Sequence, residues 1–275
     1  MSRRSPGRDG LGSRSLLWLA ALVALLLGLP VAVLIARAVL AGSLVAAAGS
    51  DAVLAALGLS LATTAVSLLV TVAIGLPLAV VLARRRFRGT WLVEAVIDLP
   101  IVLPPAVAGL ALLLVFGRRG ILGEALSVLG IEIAFTSVAV VLAQVFVSAP
   151  FFIRSARAGL AAVDTDLEDA ARVDGASEIG VFRTISVPLA GGALAAGLVM
   201  AWARALGEFG ATIMFAGNVE GRTQTLPLVV YAEFQGGGLD ASIAAAAILV
   251  VAAFGVLMAV RGLRWGRALD VRATG

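Results

Sequence analysis

The sequence contains no cysteine, no histidine and no lysine, and every one of its 21 basic residues is arginine. Without cysteine there are no disulfides and no thiolate chemistry, and without histidine there is no imidazole to bind a metal or shuttle a proton. Neither a Ser/His/Asp set nor an HExxH metal site can be assembled. The absence of lysine excludes a Walker A loop, whose lysine reaches the terminal phosphates of ATP, so this chain cannot hold that nucleotide site itself. Charge is sparse as well, with 14% of the 275 residues charged and 6% aromatic. Any site has to be built from carboxylates, arginines, amides or backbone, and the sequence calls for no cofactor and no metal.

What is present is apolar. Hydrophobic residues make up 61% of the chain and the mean hydropathy is +1.06, values met by long apolar runs rather than by one water-soluble core. The chain reads as an all-α polytopic membrane protein. Six runs are candidate spans, at 15–36, 52–83, 99–116, 134–153, 187–215 and 241–260. The first follows Arg3, Arg4, Arg8 and Arg14 and is too long for the apolar core of a signal peptide. The second, at about 1.5 Å per residue, outruns a hydrocarbon core of about 30 Å and calls for tilt, a kink at Pro77 or an interfacial section. The third carries Pro100, Pro104 and Pro105 near its start, which predicts an irregular entry instead of regular helix. Non-helical backbone at that depth is tolerated only beside protein or water, which marks Pro104 and Pro105 as candidate lining of a pathway, against a plain interfacial helix start.

Sorted by loop, sixteen arginines fall on one side of the membrane and four on the other, leaving Arg204 inside the fifth run. The positive-inside rule then places both termini in the cytoplasm. The expected layout is a cytoplasmic tail over 1–14, a membrane domain over 15–265 and a second cytoplasmic tail over 266–275. The net charge of +4 is spent on this topology and on anionic lipid headgroups, with no indication of nucleic acid as a partner. Arg204 and Glu208 are spaced four apart, which predicts a pair on one helix face toward the outer surface. Such a pair serves as a packing clamp, an outer gate or a direct contact to an anion.

One stretch breaks the apolar pattern. Residues 167–190 read LEDAARVDGASEIGVFRTISVPLA, inside a cytoplasmic loop over 164–187. Thr165 is placed to cap a helix, with Glu168 three residues on to complete a capping box. The helix breaks at Gly175, restarts, and stops before Pro188, which can open the next membrane helix. Two short helices joined at a glycine form a knob on the membrane surface, where an ordinary loop would present only a solvated amphipathic helix.

The spacing of Asp169, Ala170, Ala171, Gly175, Ile185 and Pro188 resembles the EAA loop of ABC importer permeases, with Asp169 where glutamate is usual and Val187 where leucine is usual. The stretches DLPIVLPPAVAGLALLLVFGRRGILG (98–123), FTSVAVVLAQVFVSAPFFIRSARAGL (135–160) and ARALGEFGATIMFAGNVEGRTQTLPL (203–228) are similar to permeases of molybdate and tungstate importers, with sulfate and thiosulfate permeases close behind. The resemblance implies a type I ABC importer permease fold in the inner membrane. It also implies a homodimer of two permease copies, a pair of cytoplasmic ATP-binding subunits, and an extracytoplasmic binding protein that delivers a tetrahedral oxyanion. In that scheme the loop is the coupling helix, Glu168 belongs with it, and ATP is hydrolysed in another chain, so this one is not an enzyme. Two other classes make different demands. An ion-coupled transporter needs membrane carboxylates and shows internal repeats, whereas an interaction protein needs no loop of coupling spacing.

Overall fold

A computed structural model describes residues 11–85 and 87–273, with side chains over 15–85 and 87–258. The expected terminal tails and Arg86 lie outside the described side chains. The described residues form helices α1 (Leu11–Leu40), α2 (Ser43–Ala48), α3 (Asp51–Arg84), α4 (Thr90–Val102), α5 (Pro105–Phe116), α6 (Gly123–Val128), α7 (Ser137–Ala161), α8 (Thr165–Val173), α9 (Glu178–Val181), α10 (Val187–Leu206), α11 (Gly210–Phe215), α12 (Leu226–Gln235) and α13 (Leu239–Ala273). Five helices are each long and apolar enough to cross a membrane, and a sixth crossing is made if α4 and α5, bent by 117° at their junction, count as one broken span. Counted in that way the number is the expected six, with the third crossing split; counted as a re-entrant pair, α4 and α5 leave five.

α7 forms the centre, packed between α3 and α10. Lipid gives helices no hydrophobic reason to associate, so close approach through small residues takes over. On α3 the inward face reads Ser60, Thr64, Ser67, Thr71, Gly75, Ala79, all buried. A Cβ on Gly75 would meet Ile153 Cγ1 at 3.0 Å. On the other side of α7, a Cβ on Gly159 would stand 2.4 Å from that of Ala193, and one on Gly197 would stand 2.8 Å from that of Ser155. Two hydroxyls on these faces close on nearby acceptors, Ser155 Oγ donating to the Ala193 carbonyl at 2.7 Å and Ser67 Oγ to that of Thr64 at 2.8 Å, whereas buried Thr71 Oγ1 has no partner. Ser60 Oγ accepts from the Leu226 N–H at 2.8 Å, satisfying a free donor at the start of α12. α1, by contrast, is apolar on every side and none of its spanning window is buried, as a helix facing lipid or another chain would be.

α3 runs through Pro77 as one helix of 34 residues. Two expectations are corrected. The third crossing begins earlier than expected, because α4 takes in Glu94 and Asp98 and carries Pro100 as regular helix, so the irregular backbone is confined to Leu103 and Pro104. The fifth run is not one helix to Phe215: α10 ends at Leu206 and α11 restarts at Gly210.

Candidate functional site

The knob is formed by α8 and α9. Its helix cap is Asp164, whose Oδ1 accepts from the Asp166 N–H at 2.9 Å, so Thr165 is the first helical residue and not the cap. Consequently Glu168 does not close a capping box. Its carboxylate turns inward, is almost fully buried, and pairs with Arg84 at the end of α3 and with Ser186. At the other end of α8 the Gly175 N–H reaches the Arg172 carbonyl at 3.0 Å and the Ala176 N–H reaches that of Ala171 at 2.9 Å. This paired closure requires left-handed backbone at Gly175, whose φ is +90°. The glycine therefore joins the two short helices as the sequence implied.

On the outer face of the knob, Asp169 is exposed and pairs with Arg172, which also bonds Glu178 across the turn at 2.8 Å. The hydrogen bonds of Glu178, and then of Asp169, hold the Arg172 guanidinium above its ordinary pKa. Leu167, Val173 and Ile179 project with half or more of their surface exposed. Ala170 and Ala171 add no bulk between them. A cleft of about 510 Å³ beside the knob is lined by Arg84, Glu168, Asp169, Arg172, Glu178 and Phe182 among others. The restart does not stop at Pro188: Glu178–Leu206 is continuous helix. Proline lacks an N–H, and a single π turn over Phe182–Ser186, containing Ile185, widens the ladder just before it, with the Val187 N–H bonding the Phe182 carbonyl.

The second cluster lies where the bent α4–α5 pair meets the turn between α10 and α11. Pro104 caps α5 and Pro105 is its first residue, where neither misses a helical hydrogen bond. Across from them α11 presses on α5: a Cβ on Gly210 would lie 2.6 Å from that of Pro105. Glu208 sits in the turn between α10 and α11, not on one helix face with Arg204, yet their ion pair forms at 2.5 Å. Arg204 occupies the last turn of α10 and Glu208 precedes α11, the signs that favour a helix C-terminus and N-terminus. Glu208 Oε1 also accepts from the Ala211 N–H at 2.6 Å, and its side chain is 1% exposed. The structure thus brings together Pro105 and the Arg204–Glu208 turn, which the sequence had offered as unrelated candidates.

Residues that the sequence reading passed over also pair. Arg154 Nε lies 3.0 Å from Asp98 Oδ1, and Arg157 lies 2.8 Å from Glu94, so two ion pairs fasten α4 to α7. The signal was available in the spacing, with Glu94 and Asp98 four apart and Arg154 and Arg157 three apart. The partners are more than fifty residues distant, so nothing local pointed to them.

Residues 75–263 match the family described as the binding-protein-dependent transport system inner membrane component. The chain belongs to that family. A transport system permease protein, NifC, of Clostridium pasteurianum is 43% identical over 62% of this chain and 59% of its own length, so the match leaves over a third of that relative uncovered. The molybdenum transport system permease protein ModB of Escherichia coli is 41% identical over 70% of this chain and 85% of its own. The sulfate transport system permease protein CysT of Salmonella typhimurium is 35% identical over 67% of each. Among solved structures, a bacterial ABC transporter that imports alginate superimposes with a TM-score of 0.73, covering 93% of this chain and 95% of that one at 18% identity, which establishes the fold. As an inner membrane component of a transport system, the chain is a transport subunit and not an enzyme.

Proposed function

We propose that this permease carries molybdate, or the equally charged tungstate, into the cytoplasm by alternating access. It works as a homodimer on a pair of ATP-binding subunits, fed from outside by an oxyanion-binding protein. The observation that carries the substrate is the likeness to the molybdenum permease, 41% over 70% of the chain, against 35% over 67% for the sulfate permease. Both termini are taken as cytoplasmic from the arginine distribution. The knob then faces the ATP-binding subunit, with Leu167, Val173 and Ile179 as apolar contacts, small Ala170 and Ala171 permitting deep seating, and Asp169 at the rim. Pro104, Pro105, Arg204 and Glu208 lie beside the pathway.

The test is uptake into vesicles containing the complete transporter, with labelled molybdate as substrate and sulfate as competitor. ATP-dependent molybdate uptake that resists excess sulfate supports the proposal. Uptake of sulfate with molybdate as the weak competitor assigns the chain to the sulfate type. An ion-coupled mechanism needs a carboxylate reserved for the coupling ion, and Glu208, in the turn that follows the fifth crossing, is engaged otherwise. One of its oxygens accepts from the Ala211 N–H and the other pairs with Arg204, so the carboxylate holds the α10–α11 turn together.

A further inference from the structure

α8 has a single buried side chain, and it is charged: Glu168. Its larger apolar residues point away from the permease, Leu167 with 50% and Val173 with 86% of their surface exposed. Within the knob, α9 runs on into α10 and buries Val181, whereas α8 is fastened to the membrane helices by a carboxylate and not by an apolar face. That carboxylate joins three elements. Arg84, the last residue of α3, pairs with Glu168 Oε1. Ser186, buried at the end of the π turn, donates its Oγ to the same oxygen at 2.6 Å. Arg172 of α8 itself stands 3.9 Å from Oε2.

A contact of this kind differs mechanically from an apolar one. Apolar surfaces resist compression but slide and separate in a wet crevice, because their attraction is not directional. Separating a buried carboxylate from its guanidinium leaves an uncompensated charge in a poorly solvated place, so the pair resists pulling as well as pushing. α3 and α10 are also the two helices that sandwich α7, so a displacement applied to α8 reaches both sides of the central helix.

We propose that Glu168, Arg84 and Ser186 form a tether that makes α8 move as one body with the ends of α3 and α10, and that Glu168 is a positioning residue for coupling hydrolysis to transport. The inference rests on the reading of α8 as the coupling helix. It separates two tasks within the knob: outward residues bind the ATP-binding subunit, and the inward carboxylate transmits its motion.

The experiment measures molybdate moved per ATP hydrolysed by the complete transporter in vesicles with its binding protein. The ratio discounts differences in the amount assembled. Glu168→Gln keeps shape but loses charge, and the ratio is expected to fall at least about five-fold, the lower range for a coupling between sites. Ser186→Ala, which removes one hydrogen bond and leaves the ion pair, is expected to lower it less and serves where Glu168→Gln assembles poorly. Exchanging the partners, Arg84→Glu with Glu168→Arg, is expected to recover part of the ratio lost in Glu168→Gln. A residue that only supports the fold lowers hydrolysis and transport together, so an unchanged ratio in Glu168→Gln and Ser186→Ala overturns the tether. Failure of the underlying coupling reading has another signature: Gly175→Val then leaves the ATP-binding subunit attached and uptake normal.

Discussion

Gly109 of α5 lies against Ala211 of α11 so closely that a Cβ on the glycine would stand 2.6 Å from the Ala211 carbonyl oxygen and 2.8 Å from its Cα. The obstruction is backbone on the far side, which cannot rotate away as a side chain could. Phe116 and Phe215, with ring centroids 6.3 Å apart, close the same interface further along. Gly109→Val is therefore expected to push α11 off α5 at a cost of about 1–3 kcal/mol, the usual range for overpacking. A thermal unfolding scan of the purified complex should show a lower midpoint, together with reduced uptake. An unchanged midpoint would mean that the two helices are less closely fitted than their backbones indicate.

The break between α4 and α5 can be probed with single cysteines, since the chain has none of its own. Val102, Pro104, Ala106 and Val107 are exposed, whereas Ala108 and Gly109 are buried. If the break lines an aqueous pathway, thiols at 102, 104, 106 and 107 react with a membrane-impermeant reagent in at least one nucleotide state, and those at 108 and 109 do not. Silence at every position from 101 to 108 in all states would place the break against lipid or protein and remove Pro104 and Pro105 from the pathway.

The number of crossings and the position of the knob could be read from apolar runs interrupted by charge, because burial in lipid demands such runs. The glycine at 175 was legible for a related reason: only a residue without Cβ closes α8 at φ +90°. What could not be read depends on contacts remote in sequence. Glu94 and Asp98 fall between the apolar runs 52–83 and 99–116, and only the pairs with Arg157 and Arg154 show what holds them on α4. Glu168 had the spacing of a capping box, but Asp164 takes the cap and Arg84, 84 residues away, takes the glutamate. Pro188 looked like a stop because local rules do not anticipate a π turn that absorbs it.

Gly175→Val forces a β-branched residue into left-handed backbone, at about 1–2 kcal/mol for an ordinary residue and more for valine. No atom lies within 4 Å of the position a Cβ would take, so the effect comes from backbone strain and not from collision. The expected outcome is normal membrane insertion with loss of the ATP-binding subunit on co-purification or of ATP-driven uptake. Asp169→Ala should be milder, because that carboxylate is exposed and its pair with Arg172 contributes little in water. Equal damage from the two changes would show that the rim charge matters as much as the shape of the turn.

Arg204 and Glu208 join two helix ends, and the two residues do not contribute equally. Glu208 is 1% exposed and accepts from the Ala211 N–H at the start of α11, whereas Arg204 remains 29% exposed. Removing Arg204 leaves a buried carboxylate without its counter-charge, a change that costs about 3–5 kcal/mol where a buried pair is broken. Removing both leaves no orphan charge but leaves the Ala211 N–H without its acceptor, a smaller penalty of about 1–3 kcal/mol. Arg204→Ala should therefore assemble less well than the double variant Arg204→Ala, Glu208→Ala, an order that a simple count of lost contacts would reverse. The measurement is the yield of assembled complex, read beside leak of molybdate in the absence of the binding protein. A packing clamp gives the stated order of yields without leak. Leak from vesicles holding well-assembled Arg204→Ala would instead make the pair an outer gate, and lost uptake with hydrolysis still stimulated by the binding protein would make Arg204 a contact for the anion. A fully active, tightly coupled double variant would exclude all three roles.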